Sequence, residues 1–208
     1  MASKDAIIND CLTLLGEPRV TSPLTDGSSW VVKIRDAYVD CTRSLLEDHD
    51  WSFAMKMVNS TTPEPTPPLD WPYAHKKQPD WMRTVTVDRV ARIPLRPGSS
   101  RYEFEDRGNL ILAGHASIYV WYISSDLIDR EGAWPQKFAD LLSAEVANRV
   151  CPVTDESSLT IQRIDAALLR RRKDAKVFNG TNQDAGQKRA PGRWARARSW
   201  GSKRGMNY

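Results

Sequence analysis

Glu103 and Glu105, separated by one residue on the strand-like run Arg101 to Asp106, would share one side of a strand, the pairing that a general acid and a general base require. A solvated outer strand face uses the same residues, and that is the expected reading. Asp48-His49-Asp50 places carboxylates on both sides of an imidazole, but the triplet closes a helical pattern, so a solvated helix end is expected there. His49, His75 and His115 are isolated from one another in sequence. Cys11, Cys41 and Cys151 are odd in number, contain no Cys-x-x-Cys pair and sit among apolar helical residues, which marks them as small buried hydrophobes. The sequence contains no phosphate-cradling glycine loop, no Gly-x-Ser-x-Gly elbow and no paired-histidine metal helix. No catalytic, cofactor or metal site is therefore expected, and the chain is not read as an enzyme.

The residues with an unassigned chemistry lie near the end, in KRAPGRWARARSW from Lys188 to Trp200. Of 30 basic residues, seven fall between Gln187 and Tyr208 with no acid among them, leaving 23 basic against 26 acidic in the rest of the chain. The body is slightly acidic and the arm alone makes the net charge +4. As a nucleic-acid contact, the arm would neutralise up to about seven phosphates and give a log–log salt slope near about −6. Its indoles would stack on bases only in single strands. As a docking arm, Trp194 and Trp200 would each bury about 150–250 Å², worth about 4–6 kcal/mol gross. Ordering the arm costs about 1–2 kcal/mol per residue, more than two rings return, so its arginines must pair as well, through bidentate contacts to carboxylates. The candidate docking residues are Arg189, Arg193, Trp194, Arg196, Arg198, Trp200, Lys203 and Arg204.

Apolar spacing predicts the elements that present this arm. Ile7, Ile8, Cys11, Leu12 and Leu15 form one face of a helix over 4–15, with Ser3 as its cap and Gly16 and Pro18 as its stop. Val31, Ile34, Tyr38, Cys41 and Leu45 predict a second helix of about twenty residues, roughly 30 Å long. Residues 62–79 hold six prolines, which exclude helix and favour an extended path. Strands are expected over 83–90, 101–106, 109–114 and 117–123, the middle two paired as a hairpin across Arg107-Gly108. Phe138, Leu141, Leu142, Val146 and Val150 predict a third helix from Trp134-Pro135 to Val150. A fourth, over 157–177, is expected to bury Leu159, Ile161, Ile164, Leu168 and Leu169 and to end in the cationic run Arg170 to Lys173, with a flexible linker beyond Phe178. That run is read equally as a solvated terminus or as a contact.

The fold class is α+β: a helical bundle of about four helices with an inserted small antiparallel β domain and an extended C-terminal arm. The divisions are 1–58 for the first half of the bundle, 59–132 for the proline-rich connector and sheet, 133–178 for the second half and 179–208 for the arm. No run reaches the about 18 apolar residues of a membrane span, and the opening residues lack a signal-peptide core, so a soluble protein made in a cytoplasm is expected. Of eight tryptophans, Trp30, Trp51, Trp121 and Trp134 belong to apolar patterns, whereas Trp71 and Trp81 beside the prolines are candidates for a contact surface.

Five segments in this order, LLGEPRVTSPLTDGS, LLEDHDWSFA, YAHKKQPDWMRTVTV, YEFEDRGNLILAGHASIYVWYI and WPQKFADLLSAEVA, resemble the head-to-tail adaptor family of short-tailed bacteriophages, the tail tubular protein A family, over about residues 5–175. The resemblance implies a structural virion protein at the head–tail junction, assembled in the host cytoplasm. It implies a ring, of twelve subunits in known relatives, between the portal protein and a tail nozzle of the tail tubular protein B kind. Tail fibres attach at that junction, and DNA passes through the channel without sequence-specific binding. A carboxyl-terminal extension reaching the portal makes the arm residues named above its docking residues. A channel that held duplex DNA tightly would resist ejection, which disfavours a strong DNA clamp. The alternative is a basic nucleic-acid-binding protein acting through the same arginines and tryptophans. The prolines from Pro63 to Pro72 and the arginine-rich arm depart from the family pattern.

Overall fold

Helix α1 (Lys4–Leu15) starts where Ser3, in extended conformation, accepts a hydrogen bond from the Ala6 N–H at 3.2 Å. It stops at Gly16, whose φ of 88° is open to glycine at low cost and lets the Glu17 N–H reach back to the Leu12 carbonyl at 2.8 Å. The computed structural model describes residues 2–61, 63–64, 71–89, 103–151 and 158–184. Helix α2 (Ser29–Asp48) follows a turn held by Asp26 Oδ1, which accepts from the Ser28 N–H. The Ser28 hydroxyl, and after it the Ser28 N–H, hold the Asp26 carboxyl below its usual range.

Six strands follow: β1 (Met55–Ser60), β2 (Tyr73–Lys76), β3 (Trp81–Asp88), β4 (Phe104–Arg107), β5 (Leu110–Ala113) and β6 (Ile118–Ser124). They make two antiparallel three-stranded sheets, ordered β1-β6-β3 and β2-β5-β4, where a single small sheet was expected. β1 and β2 escape a pattern reading because MKMVNS and YAHK are short and poor in alternation, and become strands only through pairing with β6 and β5. The β4–β5 hairpin turns on Gly108-Asn109, one residue later than expected, with Arg107 paired to Leu110. Gly108 takes the positive φ of 54° that a two-residue hairpin demands at its first turn position. Arg101 and Tyr102, expected on the first strand of that hairpin, lie outside the described residues.

Two short 3₁₀ turns, Ser125–Leu127 and Glu131–Ala133, lead to helix α3 (Gln136–Val150), which begins after Pro135 rather than at Trp134. α3 is the central helix. Phe138, Ala139, Leu141, Leu142, Ser143, Ala144, Val146, Ala147 and Val150 are all buried, and its small residues let neighbours approach closely on several sides. It packs against α1, α2 and the last helix, α4 (Ser158–Asp184). The core joins Ile8, Leu12, Ile34, Tyr38, Leu46, Trp51, Phe138 and Ile164, and Phe138 meets Trp51, Phe53 and Trp134 edge-on at ring distances of 4.9–5.3 Å. Val85 and Ile123 of the first sheet enter the same core. Val87, Ile118 and Val120 form a second cluster with Ile111 and Ala113, which joins the two sheets.

α4 departs from its expected form in three ways. It runs to Asp184, through residues read as linker. Its buried positions are Ile164, Ala175 and Asn179, while Leu159 and Leu169, expected in the core, are 74% and 71% exposed and Ile161 is also exposed. Arg170 to Lys173 lie in mid-helix, so the helix dipole is not what places them. The three cysteines are free and buried, as expected; burial pushes the Cys11 thiol well above its usual range and raises the Cys41 thiol, which favours the protonated form of both.

Candidate functional site

Large apolar side chains left in solvent are the clearest unsatisfied chemistry of this surface. Among the described residues they are Leu24, Val39, Met57, Leu159, Ile161, Leu169, Val177 and Phe178. Five of the eight lie on α4. At 100° per residue, Leu159, Ala166, Leu169, Lys173 and Val177 fall on one side of that helix, opposite Ile164, Ala175 and Asn179. An outward face that alternates Leu, Ala and Val with Arg170 and Lys173 is suited to protein contact rather than to catalysis.

Among the polar ties that hold α4 to the fold are those of Arg171, Arg172 and Asn179. Arg171 Nη1 donates to Asp10 Oδ2 at 2.6 Å, to Ser143 Oγ at 2.7 Å and to the Asp140 carbonyl at 2.8 Å, binding α4 to α1 and α3. Arg172 Nη2 donates to Glu145 at 2.9 Å. Two of the four cations of the expected helix terminus therefore make contacts within the fold. Asn179 is 4% exposed. Its Oδ1 accepts from the Ser52 N–H and Ser52 Oγ, each at 2.8 Å, and its Nδ2 donates to the Asp50 carbonyl at 2.9 Å. Asn179 thus latches α4 to the corner between α2 and β1. An Asn-Gly-Thr string carries turn chemistry in sequence, and only the distant Ser52 reveals its helical role.

The residues singled out for chemistry do not assemble into a reactive centre. Glu105 Oε1 pairs with Arg107 at 3.1 Å and its Oε2 accepts from Trp71 Nε1 at 3.1 Å, and Glu103 is exposed. Asp48-His49-Asp50 is not a solvated end: His49 is half-buried edge-on to Trp51, and buried Asp50 pairs with Arg83. Burial, then the Lys176 charge, lowers the His49 pKa against the opposing pull of Asp50 and Asp48. His75, 1% exposed, is satisfied within the sheets, with Nδ1 2.8 Å from Ser60 Oγ and Nε2 2.9 Å from the His115 carbonyl. The carbonyl requires a proton on Nε2, and the ring serves as a crosslink between Ser60 and the His115 carbonyl.

A further cluster, not visible in sequence, gathers Lys56, Asp80, Asp126, Tyr122 and Ser124 at one end of the first sheet. Lys56 Nζ contacts Asp80 at 2.8 Å and also Asp126, and Ser124 Oγ donates to Asp80 at 2.6 Å. Burial raises the Asp80 pKa, but the bonds from Lys56 and Ser124 outweigh it and hold the carboxyl below its usual range. Tyr122, buried beside Asp80, is pushed up to about 12. Among the described residues no group of three His, Cys, Asp or Glu could hold a metal ion.

Trp71 and Trp81 are half-buried and contact their own fold, Trp71 through Glu105 and Trp81 by stacking on Tyr122 with centroids 4.1 Å apart. Trp51 and Trp134 are buried as expected, and Trp30 and Trp121 are half-buried. Arg189, Arg193, Trp194, Arg196, Arg198, Trp200, Lys203 and Arg204 lie outside the described residues, and Asp184 at the end of α4 is the last described position before them. Among the described residues no helix is long and apolar enough to cross a membrane. No protein-family model matches the chain, and no curated protein matches it.

Proposed function

We propose that the chain is a structural subunit of a short-tailed phage particle, a head-to-tail adaptor that forms a ring between the portal and the tail nozzle, with the genome passing through its centre. The observation that carries this reading is the outward face of α4, where Leu159, Leu169 and Val177 stand 74%, 71% and 62% exposed on a helix otherwise tied down by Arg171, Arg172 and Asn179. A rigid helix that keeps leucines in water is built for burial against another protein. The order of the five resembling segments supports the same reading. The arm residues Arg189, Arg193, Trp194, Arg196, Arg198, Trp200, Lys203 and Arg204 then dock on acidic and apolar sites of the portal, and many copies in one ring turn modest single-arm affinity into secure attachment.

Light scattering before and after addition of portal rings tests this. The full chain should join the portal in a complex of many copies, and a chain lacking residues 187–208 should stay folded and fail to join. The acid-free run of seven cations favours a second reading, a nucleic-acid-binding protein. That reading requires duplex binding with a log–log salt slope near about −6 that disappears with the arm.

A further inference from the structure

The exposed apolar residues of the helical layer fall on two of its four helices or beside them, α4 and α2, and none lies on α1 or α3 among the described residues. These two faces point in different directions. α3 packs against both α2 and α4, and among the described residues Lys176–Asp48 and the Asn179 bond to the Asp50 carbonyl tie α4 to the end of α2 and the residues just after it. The outward side of α2 carries Asp36, Asp40, Arg43 and Glu47 at steps of four, three and four residues, which places them on one ridge with exposed Val39 at its shoulder. That ridge carries three acids against one base, and Asp40 also pairs with Arg149 of α3 at 3.5 Å, both side chains exposed. Beside it, Lys33, Asp36, Ala37, Asp40, Arg149 and Val150 line a groove of about 310 Å³ between α2 and the end of α3. The outward side of α4 carries two bases, Arg170 and Lys173, among its leucines and valine, with exposed Asp174 at its margin.

We infer that the outward face of α4 on one subunit packs along the α2 ridge and groove of a second copy of the chain. This inference rests on the ring reading and names the two surfaces that meet. The leucines of α4 fill the groove, and Arg170 and Lys173 meet Asp36 and Asp40. Pairing of α4 with its own copy is disfavoured because Arg170 and Lys173 would face their like. Two different faces on opposite flanks make a heterologous contact, which propagates head to tail and closes into a ring or extends as a filament. From Leu159 to Val177 the face is about 27 Å long and about 10 Å wide, a footprint below the about 800 Å² per partner of a stable complex. The contact is therefore weak between two free subunits and strengthened by closure.

Sedimentation velocity on the full chain up to about millimolar concentration tests the contact. One variant carries R170E and K173E, the other D36K and D40K; all four positions are on the surface, and circular dichroism confirms that each variant folds. The native chain should self-associate reversibly. Each variant alone should associate at least tenfold more weakly, since each then presents like charges to itself. An equimolar mixture of the two should regain association, because each variant's α4 face now meets an opposite charge on the other. Native association untouched by either variant would overturn the assignment of these faces while leaving the ring reading intact. So would loss in the α4 variant alone, which marks an α4–α4 contact. A native chain that stays monomeric throughout overturns the contact as drawn, and the portal-mixing experiment judges the ring reading separately.

Discussion

Replacing Asn179 by alanine separates a helix-propensity account of α4 from a tertiary one, because the two predict opposite signs. Alanine favours helix over asparagine by about half a kcal/mol, so a position that matters only for local structure is stabilised. In the observed fold the same substitution strips partners from the Ser52 N–H and the Asp50 carbonyl. Each buried group left without a partner costs about 1–3 kcal/mol. Ser52 is half-buried and takes the lower end, so after the helix gain the net loss is about 1.5–3.5 kcal/mol. With a urea m-value of about 2 kcal/mol/M, the unfolding midpoint falls by about 1–2 M. The melting temperature falls by about 3–14 °C for a chain of this size. Thr181→Ala, which removes only an exposed bond to the Val177 carbonyl, is the control and shifts stability by less than about 0.5 kcal/mol. An Asn179→Ala variant as stable as the native chain, or more so, would refute the latch.

Three further outcomes follow from the same contacts. Arg171→Ala loses the bonds to Asp10, Ser143 and the Asp140 carbonyl and destabilises by about 2–3 kcal/mol in urea titration, and Arg171→Lys recovers little, because an ammonium cannot reproduce the guanidinium fork. His49 is held neutral in the fold by burial and by Lys176 and Arg83, against Asp48 and Asp50, whereas in the unfolded chain it titrates near about 6.5. Below that pH the unfolded state takes up the proton first, so the His49 contribution is present above about 6.5 and is lost as pH falls towards the lowered folded value; urea midpoints between pH 7.5 and 5 should show a decline that His49→Gln flattens. Removing residues 187–208 leaves the described core intact and changes unfolding free energy by less than about 0.5 kcal/mol, read by thermal melting.

Local chemistry was legible where one element contains its own signals. Ser3 and Gly16 bracket α1 as their side chain and missing side chain require, and the apolar spacing of α2 and α3 identifies the faces they bury. α4 was misread because periodicity reports that an apolar face exists without reporting what covers it. Leu159 and Leu169 match a core stripe in spacing, yet the bundle takes Ile164, Ala175 and Asn179 instead. Arg171 and Asn179 gained their roles from Asp10 and Ser52, more than a hundred residues away, which no local pattern encodes. The same holds for β1 and β2, whose strand character comes from β6 and β5. The surface on α4 was present in the sequence as leucines assigned to the wrong side.

The central claim is that this chain is a ring-forming component seated on a portal through its basic, tryptophan-bearing arm. Its most direct test is the mass, by multi-angle light scattering, of the complex formed when the purified chain is titrated onto cognate portal rings. The account predicts saturation at a fixed number of copies per portal for the full chain and no binding for the chain lacking residues 187–208. Equal binding by both, or no binding by either, would contradict it.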